Sequence, residues 1–275
     1  MTNVVNFPFC KINLGLNIVS KRTDGYHNLE TCFFPLPFCD ALEVVTAPEF
    51  RFVVTGTPVA GNEADNLCVQ AYRLLEKDHS LPPVYMHLHK AIPSGAGLAG
   101  GSSDAAHTLL LLNKKFGLNI AAEQLAAYAL QLGSDCPFFL HNEPMWGRGR
   151  GEILEPVSVQ LPGYTVVLVM PGIHISTAAA FTGIQPRAPE YDLRETVQLP
   201  PAEWKHRLVN DFEQTVYVQH PELQQVKDRL YEQGAVYASL TGTGSVVYGL
   251  FAQPIAEQEL TRQLSAGAQV KCFTL

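Results

Sequence analysis

The segment Pro93-Ser94-Gly95-Ala96-Gly97-Leu98-Ala99-Gly100-Gly101-Ser102-Ser103-Asp104 constrains this chain more than any other. Small residues let a backbone wrap closely around a ligand, because glycine tolerates positive φ and has no Cβ to collide. The alternating stretch Val84–Lys90 reads as a strand before it, and 103–116 as a helix after it. Serines at a helix start would turn hydroxyls and free first-turn N–H groups toward one place, a ready phosphate site. The alternative is a tight turn in which Ser102 or Ser103 only caps the helix.

Gly95, Gly97 and Gly100 satisfy the dinucleotide pattern G-x-G-x-x-G. A nicotinamide-dependent oxidoreductase is therefore one reading. Against it, the next element, 121–132, reads as a second helix ending at Gly133, where a β-α-β unit needs a strand. Pro93 also intervenes before the first glycine. No Gly-Lys-Ser/Thr follows, so the Walker A pattern fails, and the catalytic motifs of protein kinases are missing.

Upstream, 4–18 reads as a long extended segment in which Ile12, Leu14, Leu16 and Ile18 share one face. Lys11, Asn13, Gly15 and Asn17 then share the other, which is either a solvent-facing surface or a place where a polar ligand lies near the backbone. Asp24-Gly25 signals a hairpin into a second strand at 28–36. Asp135 follows the helix stop at Gly133. Read alone it is a cap or turn residue; in a kinase it would orient an acceptor hydroxyl and take its proton. Leu240-Thr241-Gly242-Thr243-Gly244-Ser245 is a hairpin turn or a second glycine-rich loop. His87-x-His89 on an alternating strand is a weak metal candidate.

At 275 residues with 47% hydrophobic content the chain can bury its core without staples. A formal charge of −7 argues against nucleic-acid and membrane-surface partners. Six cysteines without a Cys-x-x-Cys pair read as reduced thiols of a cytoplasmic protein. The first residues, Met1-Thr2-Asn3-Val4, carry no signal-peptide pattern, and no apolar run spans a bilayer. Further along, 66–76 reads as a helix. The second half reads as strand 164–170, helices 209–218 and 221–233, strands 235–240 and 245–251, helix 255–264 and strand 268–274. That is β-α-β-β-α-β, the ferredoxin-like order, with 185–203 as a surface loop.

The Lys11 strand, the Pro93-to-Ser103 loop and the 241–245 turn, in this order, resemble the GHMP small-molecule kinases. The resemblance implies an α+β fold of two domains, a ribosomal-protein-S5-like N-terminal domain (1–155) and a ferredoxin-like C-terminal domain (156–275). ATP would be the phosphoryl donor, with Mg²⁺, against Pro93, Ser94, Gly95, Ala96, Gly97, Leu98, Ala99, Gly100, Gly101, Ser102 and Ser103. The metal ligands are not visible in the sequence; Ser103 is a candidate, with no acidic partner declaring itself.

Further motifs are Lys11-Ile12-Asn13-Leu14, Arg22-Thr23-Asp24-Gly25-Tyr26-His27, Asp135-Cys136-Pro137-Phe138-Phe139 and Asn210-Asp211-Phe212-Glu213. They are similar to family members that phosphorylate the 2-hydroxyl of a methylerythritol bearing a cytidine diphosphate group, in the non-mevalonate route to isoprenoids. Carried over, Lys11 and Asp135 are the catalytic pair. Tyr26, His27 and Phe181 would hold the cytosine, Asn13 and Thr177 would contact the acceptor, and Thr241, Gly242, Thr243 and Gly244 would complete the substrate site. A monomer or weak homodimer is expected. Another acceptor, or an ATP-binding module without catalysis, are the competing readings. Ala99 stands where glycine is common, Cys10 where alanine is usual and Cys136 where valine is frequent.

Overall fold

The computed structural model describes residues 4–263 and 267–275. Its first elements are β1 (Val4–Asn6), β2 (Phe9–Lys21), β3 (His27–Cys39), β4 (Ala41–Thr46) and β5 (Arg51–Gly56). Then come α1 (Leu67–His79), β6 (Val84–Lys90), α2 (Gly100–Phe116), α3 (Ala122–Leu132), β7 (Met145–Arg148) and β8 (Ile153–Pro156). The remainder runs β9 (Thr165–Met170), α4 (Thr177–Phe181), α5 (Leu193–Thr196), α6 (Glu213–Gln219) and α7 (Pro221–Glu232). It closes with β10 (Tyr237–Leu240), β11 (Val247–Phe251), α8 (Glu257–Gln263) and β12 (Gln269–Thr274). The expected helix 255–264 is α8; its last position, Leu264, lies outside the described residues, as do Met1, Thr2 and Asn3.

Packing divides the chain into two units. The first takes residues up to Lys11, Pro35–Ser94 and Ala99–Asn142; the second takes Ile12–Phe34, Gly95–Leu98 and everything from Glu143 on. The sequence-level division at 155/156 follows chain order. Packing instead groups 12–34 with the later residues, because β3 pairs with β7 and β7 with β8.

In the first unit the sheet order is β1-β4-β6-β5, antiparallel except for β5 alongside β6. Leu42, Val44, Met86 and Leu88 alternate inward, as period-2 strands require, and meet Cys68, Tyr72 and Leu75 of α1 and Leu109 and Leu112 of α2. Asn66 caps α1 by accepting from the Cys68 N–H (2.9 Å). α2 stops at Gly117, whose φ of +59° only glycine takes without strain.

In the second unit β10-β11-β9-β12 form an antiparallel sheet. With helices between β9 and β10 and between β11 and β12, this is the ferredoxin-like arrangement expected. Val167, Val169, Val247 and Leu240 bury against Leu223, Val226 and Leu230 of α7.

Three expectations need correction. Helix α2 begins at Gly100, three residues before the expected start at Ser103. The helix expected over 209–218 begins at Glu213, because Asn210 and Asp211 spend their side chains on neighbouring backbone instead. The segment 185–203 is not merely a surface loop: Leu193, Thr196, Val197 and Pro201 are buried, and α5 is capped by Asp192.

Candidate functional site

The glycine-rich loop has an anion-binding shape. Positive φ recurs at Gly95 (+66°), Gly97 (+81°) and Ala99 (+54°), alternating with residues of ordinary φ. Such alternation turns successive N–H groups into a concavity that suits an anion. The ladder of α2 begins with the Ser103 N–H donating to the Ala99 carbonyl (3.0 Å), which leaves the N–H groups of 100–102 outside it. The helix's positive end adds to the same field.

The serine caps proposed as the alternative are absent. Ala99 occupies the cap position without a side-chain bond, while Ser102 and Ser103 sit inside the first turn. Ser103 is fully buried with its hydroxyl 3.3 Å from the His107 ring, an inward setting that does not favour the metal-ligand role anticipated for it. Ser102 is half-buried in the same turn.

Lys11 and Asp135 come together in the first unit, Nζ to Oδ2 at 3.9 Å. Lys11 is 3% exposed, which removes the reading of a solvent-facing strand; Asn13 and Asn17 are buried too. Burial pulls the Lys11 ammonium below its ordinary pKa, with Asp135 and the Cys10 thiol opposing. Asp135 precedes the 3₁₀ turn Cys136–Leu140 but makes no capping bond with its side chain, which is 35% exposed. It is thus a turn residue, as its sequence position allows, whose carboxylate is not used up in capping. The Cys136 thiol beside it is buried and pushed up to about 12, so it stays protonated.

The first unit also holds a cavity of about 470 Å³ that the sequence did not reveal. It is lined by Val54, Thr57, Asn62 and Asn66 on one side and by Lys90, Ser94, Gly101 and Asp104 on the other. Ser94 and Gly101 flank the phosphate loop, so its two ends adjoin the cavity. Lys90 Nζ hydrogen-bonds the carboxylates of Asp40 and Asp104, the latter at 2.7 Å. Burial lowers Lys90, but Asp104 and Asp40 outweigh it and hold the ammonium above its usual value. Burial pushes Asp104 up to about 7, Asp40 adding to it and Lys90 opposing.

In the second unit the Arg22–Tyr26 hairpin forms as expected. The Arg22 N–H donates to the Tyr26 carbonyl (2.8 Å), and Asp24 accepts from the Arg22 guanidinium and the Tyr26 N–H. Tyr26 is 55% exposed, with the Arg150 guanidinium 4.8 Å over its ring. His27 and Phe181 stack on each other (4.7 Å, 14°), and Phe212 supports Phe181 edge-on. Burial, then Lys21, keeps His27 below its usual pKa, so the ring is neutral at pH 7. Thr177 is exposed at the start of α4.

Thr241 does something other than face a ligand. It is fully buried, its hydroxyl accepting from the Asn13 N–H (3.1 Å) and lying 3.2 Å from the Asn13 side-chain oxygen. Gly97 packs on it so closely that a Cβ there would overlap the Thr241 carbonyl, and the Val246 N–H reaches the Ala96 carbonyl (3.2 Å). The turn holding Gly242, Thr243 and Gly244 thus braces the loop crest, and Asn210 pins it by donating to the Leu240 and Gly242 carbonyls (2.9 Å each). Glu213 accepts the Leu240 N–H (2.9 Å). The Asn210–Glu213 motif was visible in the sequence; its role as the turn's anchor was not. Arg150 carried no signal beyond being basic. His87 and His89 share the Thr55 hydroxyl (2.9 and 3.0 Å), and no cluster of three metal-binding side chains occurs among the described residues.

The pattern described as GHMP kinases N terminal domain matches residues 66–143, and that of GHMP kinases C terminal matches 198–269. A 4-diphosphocytidyl-2-C-methyl-D-erythritol kinase of Bacteroides thetaiotaomicron is 51% identical over 275 residues, 98% of each chain. A crystal structure of 4-(cytidine 5'-diphospho)-2C-methyl-D-erythritol kinase superposes with TM-score 0.84 at 29% identity, covering 98% of both chains. The mevalonate kinase of Methanococcus jannaschii shares the fold, with TM-score 0.72 at 12% identity over 100% of this chain and 99% of that one.

Proposed function

The chain belongs to the GHMP kinase family, and from that membership we propose how it works on one acceptor. It transfers the γ-phosphoryl group of ATP to the 2-hydroxyl of 4-diphosphocytidyl-2-C-methyl-D-erythritol, a step toward isoprenoid precursors outside the mevalonate route. The observation that carries the mechanism is the buried Lys11 held 3.9 Å from a part-exposed Asp135 whose side chain makes no capping bond.

ATP lies with its phosphates in the concavity of Pro93–Ser103 and its nucleoside in the adjoining cavity beside Asn62, Asn66 and Lys90. The half-buried Ser102 hydroxyl would hold a Mg²⁺ bound with the triphosphate, and the ion would supply neutralisation of phosphate charge there. Asp135 accepts the proton of the acceptor hydroxyl. Aspartate is a weak base, but a loose phosphoryl-transfer transition state lets the proton leave late. Lys11 offsets negative charge where the acceptor oxygen meets the γ-phosphate.

The cytosine stacks on the aromatic group Tyr26, His27 and Phe181, with neutral His27 able to donate from one nitrogen and accept at the other. Arg150, over Tyr26, adds a cation for the acceptor's diphosphate. Asn13 and Thr177 position the erythritol end, while Thr241, Gly242, Thr243 and Gly244 act by bracing. The matched family segments fall one on each side of 155/156, which supports 1–155 as the ATP-binding domain and 156–275 as the C-terminal domain. The working form is cytoplasmic, a monomer or weak homodimer; among the described residues no helix is long and apolar enough to cross a membrane.

The test is ADP release with MgATP, comparing the cytidyl acceptor, mevalonate, homoserine and no acceptor. Turnover with the cytidyl compound alone is expected. Turnover with another acceptor would keep the kinase and discard the cytidine pocket.

A further inference from the structure

We propose that Asp40, Lys90 and Asp104 form a buried clamp that closes the base of the phosphate loop, acting as positioning residues for the triphosphate. The inference rests on the reading of Pro93–Ser103 as the phosphate loop.

Lys90 ends the strand that enters the loop, and Asp104 stands in the first turns of the helix that leaves it. The ammonium joins the two directly through the Asp104 carboxylate (2.7 Å). Asp40, in the β3–β4 turn, supplies the third strut. One of its oxygens accepts the N–H groups of Ala91 (2.6 Å) and Ile92 (2.9 Å), the residues just before Pro93, and the other accepts from Lys90. Asp40 is itself tied down, its N–H donating to the Pro8 carbonyl (2.9 Å).

Strand end and helix start also touch. A Cβ on Gly100 would come within 2.8 Å of the Ile92 side chain and 3.3 Å of the Lys90 ammonium. The loop between them is therefore pinched at its neck, leaving residues 93–99 to form the concavity with little freedom in where its ends lie.

All three residues are at most 3% exposed. A buried ion cluster is weak evidence for stability, since desolvation offsets most of the Coulomb gain. What this one does provide is geometry: the two charged hydrogen bonds of Lys90 fix a distance and a direction that apolar packing would leave softer. One oxygen of Asp104, Oδ1, is buried without a hydrogen-bond partner, and Asp104 is among the residues that line the cavity adjoining the loop. That leaves a second possibility to be separated by experiment, a direct contact from Asp104 to the nucleoside.

The experiment measures dissociation constants of ADP and of adenosine by calorimetry, together with KM for ATP and for the acceptor. The full-length wild type is compared with Asp104→Ala, Asp104→Asn and Asp40→Asn, all well below their melting temperatures. A misplaced phosphate loop should weaken ADP about 10- to 100-fold in Asp104→Ala. Adenosine binding and KM for the acceptor should stay within about twofold, and Asp104→Asn, which can still accept from Lys90, should restore most of the ADP affinity. Equal losses for adenosine and ADP would overturn the clamp in favour of a nucleoside contact. Unchanged ADP affinity in every folded variant would overturn it outright. A wild type that binds no ADP would overturn the phosphate-loop reading, and the clamp with it. Should Asp104→Ala fail to fold, Asp40→Asn, which keeps its shape and weakens only the strut to Lys90, decides by the same ADP-to-adenosine ratio.

Discussion

The first unit contains two buried lysines, each set against aspartate, and they have opposite characters. Lys90 donates to two carboxylates that are themselves buried, and the pair of anions raises its proton affinity. Lys11 meets Asp135 at 3.9 Å, beyond hydrogen-bond length, and burial rather than the carboxylate decides its proton affinity, which falls. The same residue types thus give one hydrogen-bonded cluster and one looser pair. The difference lies in the carboxylates: the Asp40 and Asp104 side chains are 0% and 4% exposed, whereas a third of the Asp135 side chain is open to water. A group that must exchange a proton with substrate needs that access; a strut is better without it.

The largest expected effect separates the two aspartates by chemistry. Asp135→Asn should lower kcat about 10²–10⁴-fold, the usual contribution of a general base, while ADP affinity is retained. Asp104→Asn should leave kcat within about threefold. A loss below threefold in Asp135→Asn would remove it from the role of base. If Asp104→Asn were the more damaging for kcat, the two regions would have to exchange roles.

Stability separates the two lysines next. Lys90→Met leaves two buried carboxylates without their cation and should destabilise the fold by about 3–5 kcal/mol in urea denaturation. Lys11→Met removes an ammonium that burial disfavours and leaves Asp135 able to hydrate, so it should destabilise the fold less than Lys90→Met while turnover is lost. Equal destabilisation by both would mean that Lys11 is as structural as Lys90.

Much of this contrast lay outside the reach of the sequence. Lys11 and Asp135 were picked out by the family resemblance of the short motifs around them, and the fold brings them within 3.9 Å of each other. Asp40, Lys90 and Asp104 are separated by 50 and 14 residues and come from a turn, a strand end and a helix, so nothing local marks them as partners. The strand Val84–Lys90 was legible to the residue because its alternation is clean and Pro82 and Pro83 bound it. Strands β4 and β5 passed unread although Leu42 and Val44 alternate, and with them went the cavity behind 54–66. The start of α2 was misplaced because glycines look like loop. At Gly100 the absence of a Cβ serves the close approach of Ile92 and Lys90, not a turn. Ser103 illustrates the remaining limit: its position in the motif was right, but only packing shows that its hydroxyl turns inward to His107.

The pH dependence of stability sharpens the comparison further. Where the folded state holds a proton that the unfolded chain has lost, stability falls as pH rises; the reverse holds where the unfolded chain keeps it. Asp104 goes from 3.8 to about 7 on folding, so its contribution is full below 3.8 and lost as pH rises through 7. Lys11, lowered from 10.5, contributes a rise in stability as pH climbs through its folded value toward 10.5; Lys90, raised, contributes a fall above 10.5. Urea midpoints between pH 5 and 8 should therefore decline less steeply in Asp104→Asn than in wild type. Parallel curves would mean that the cluster keeps a fixed charge across this range.

The smallest effect concerns the loop that the clamp closes. Ala99 takes φ +54° and ψ +31°, the left-handed region, at the cap of α2. An L-residue there costs roughly 1–2 kcal/mol relative to glycine, because its Cβ crowds the following carbonyl. Against this, alanine restricts the unfolded chain and so regains roughly 0.4–1 kcal/mol. Ala99→Gly should therefore stabilise the protein by about 0.5–1 kcal/mol, read as a higher urea midpoint at unchanged slope. The Ala99 carbonyl still accepts the Ser103 N–H, so the helix start and the free N–H groups of 100–102 are unaltered, and KM for ATP should stay within about twofold. If the variant instead loses ATP affinity, the methyl group is helping to hold the concavity's shape. The neck clamp alone would then not be enough to position the loop.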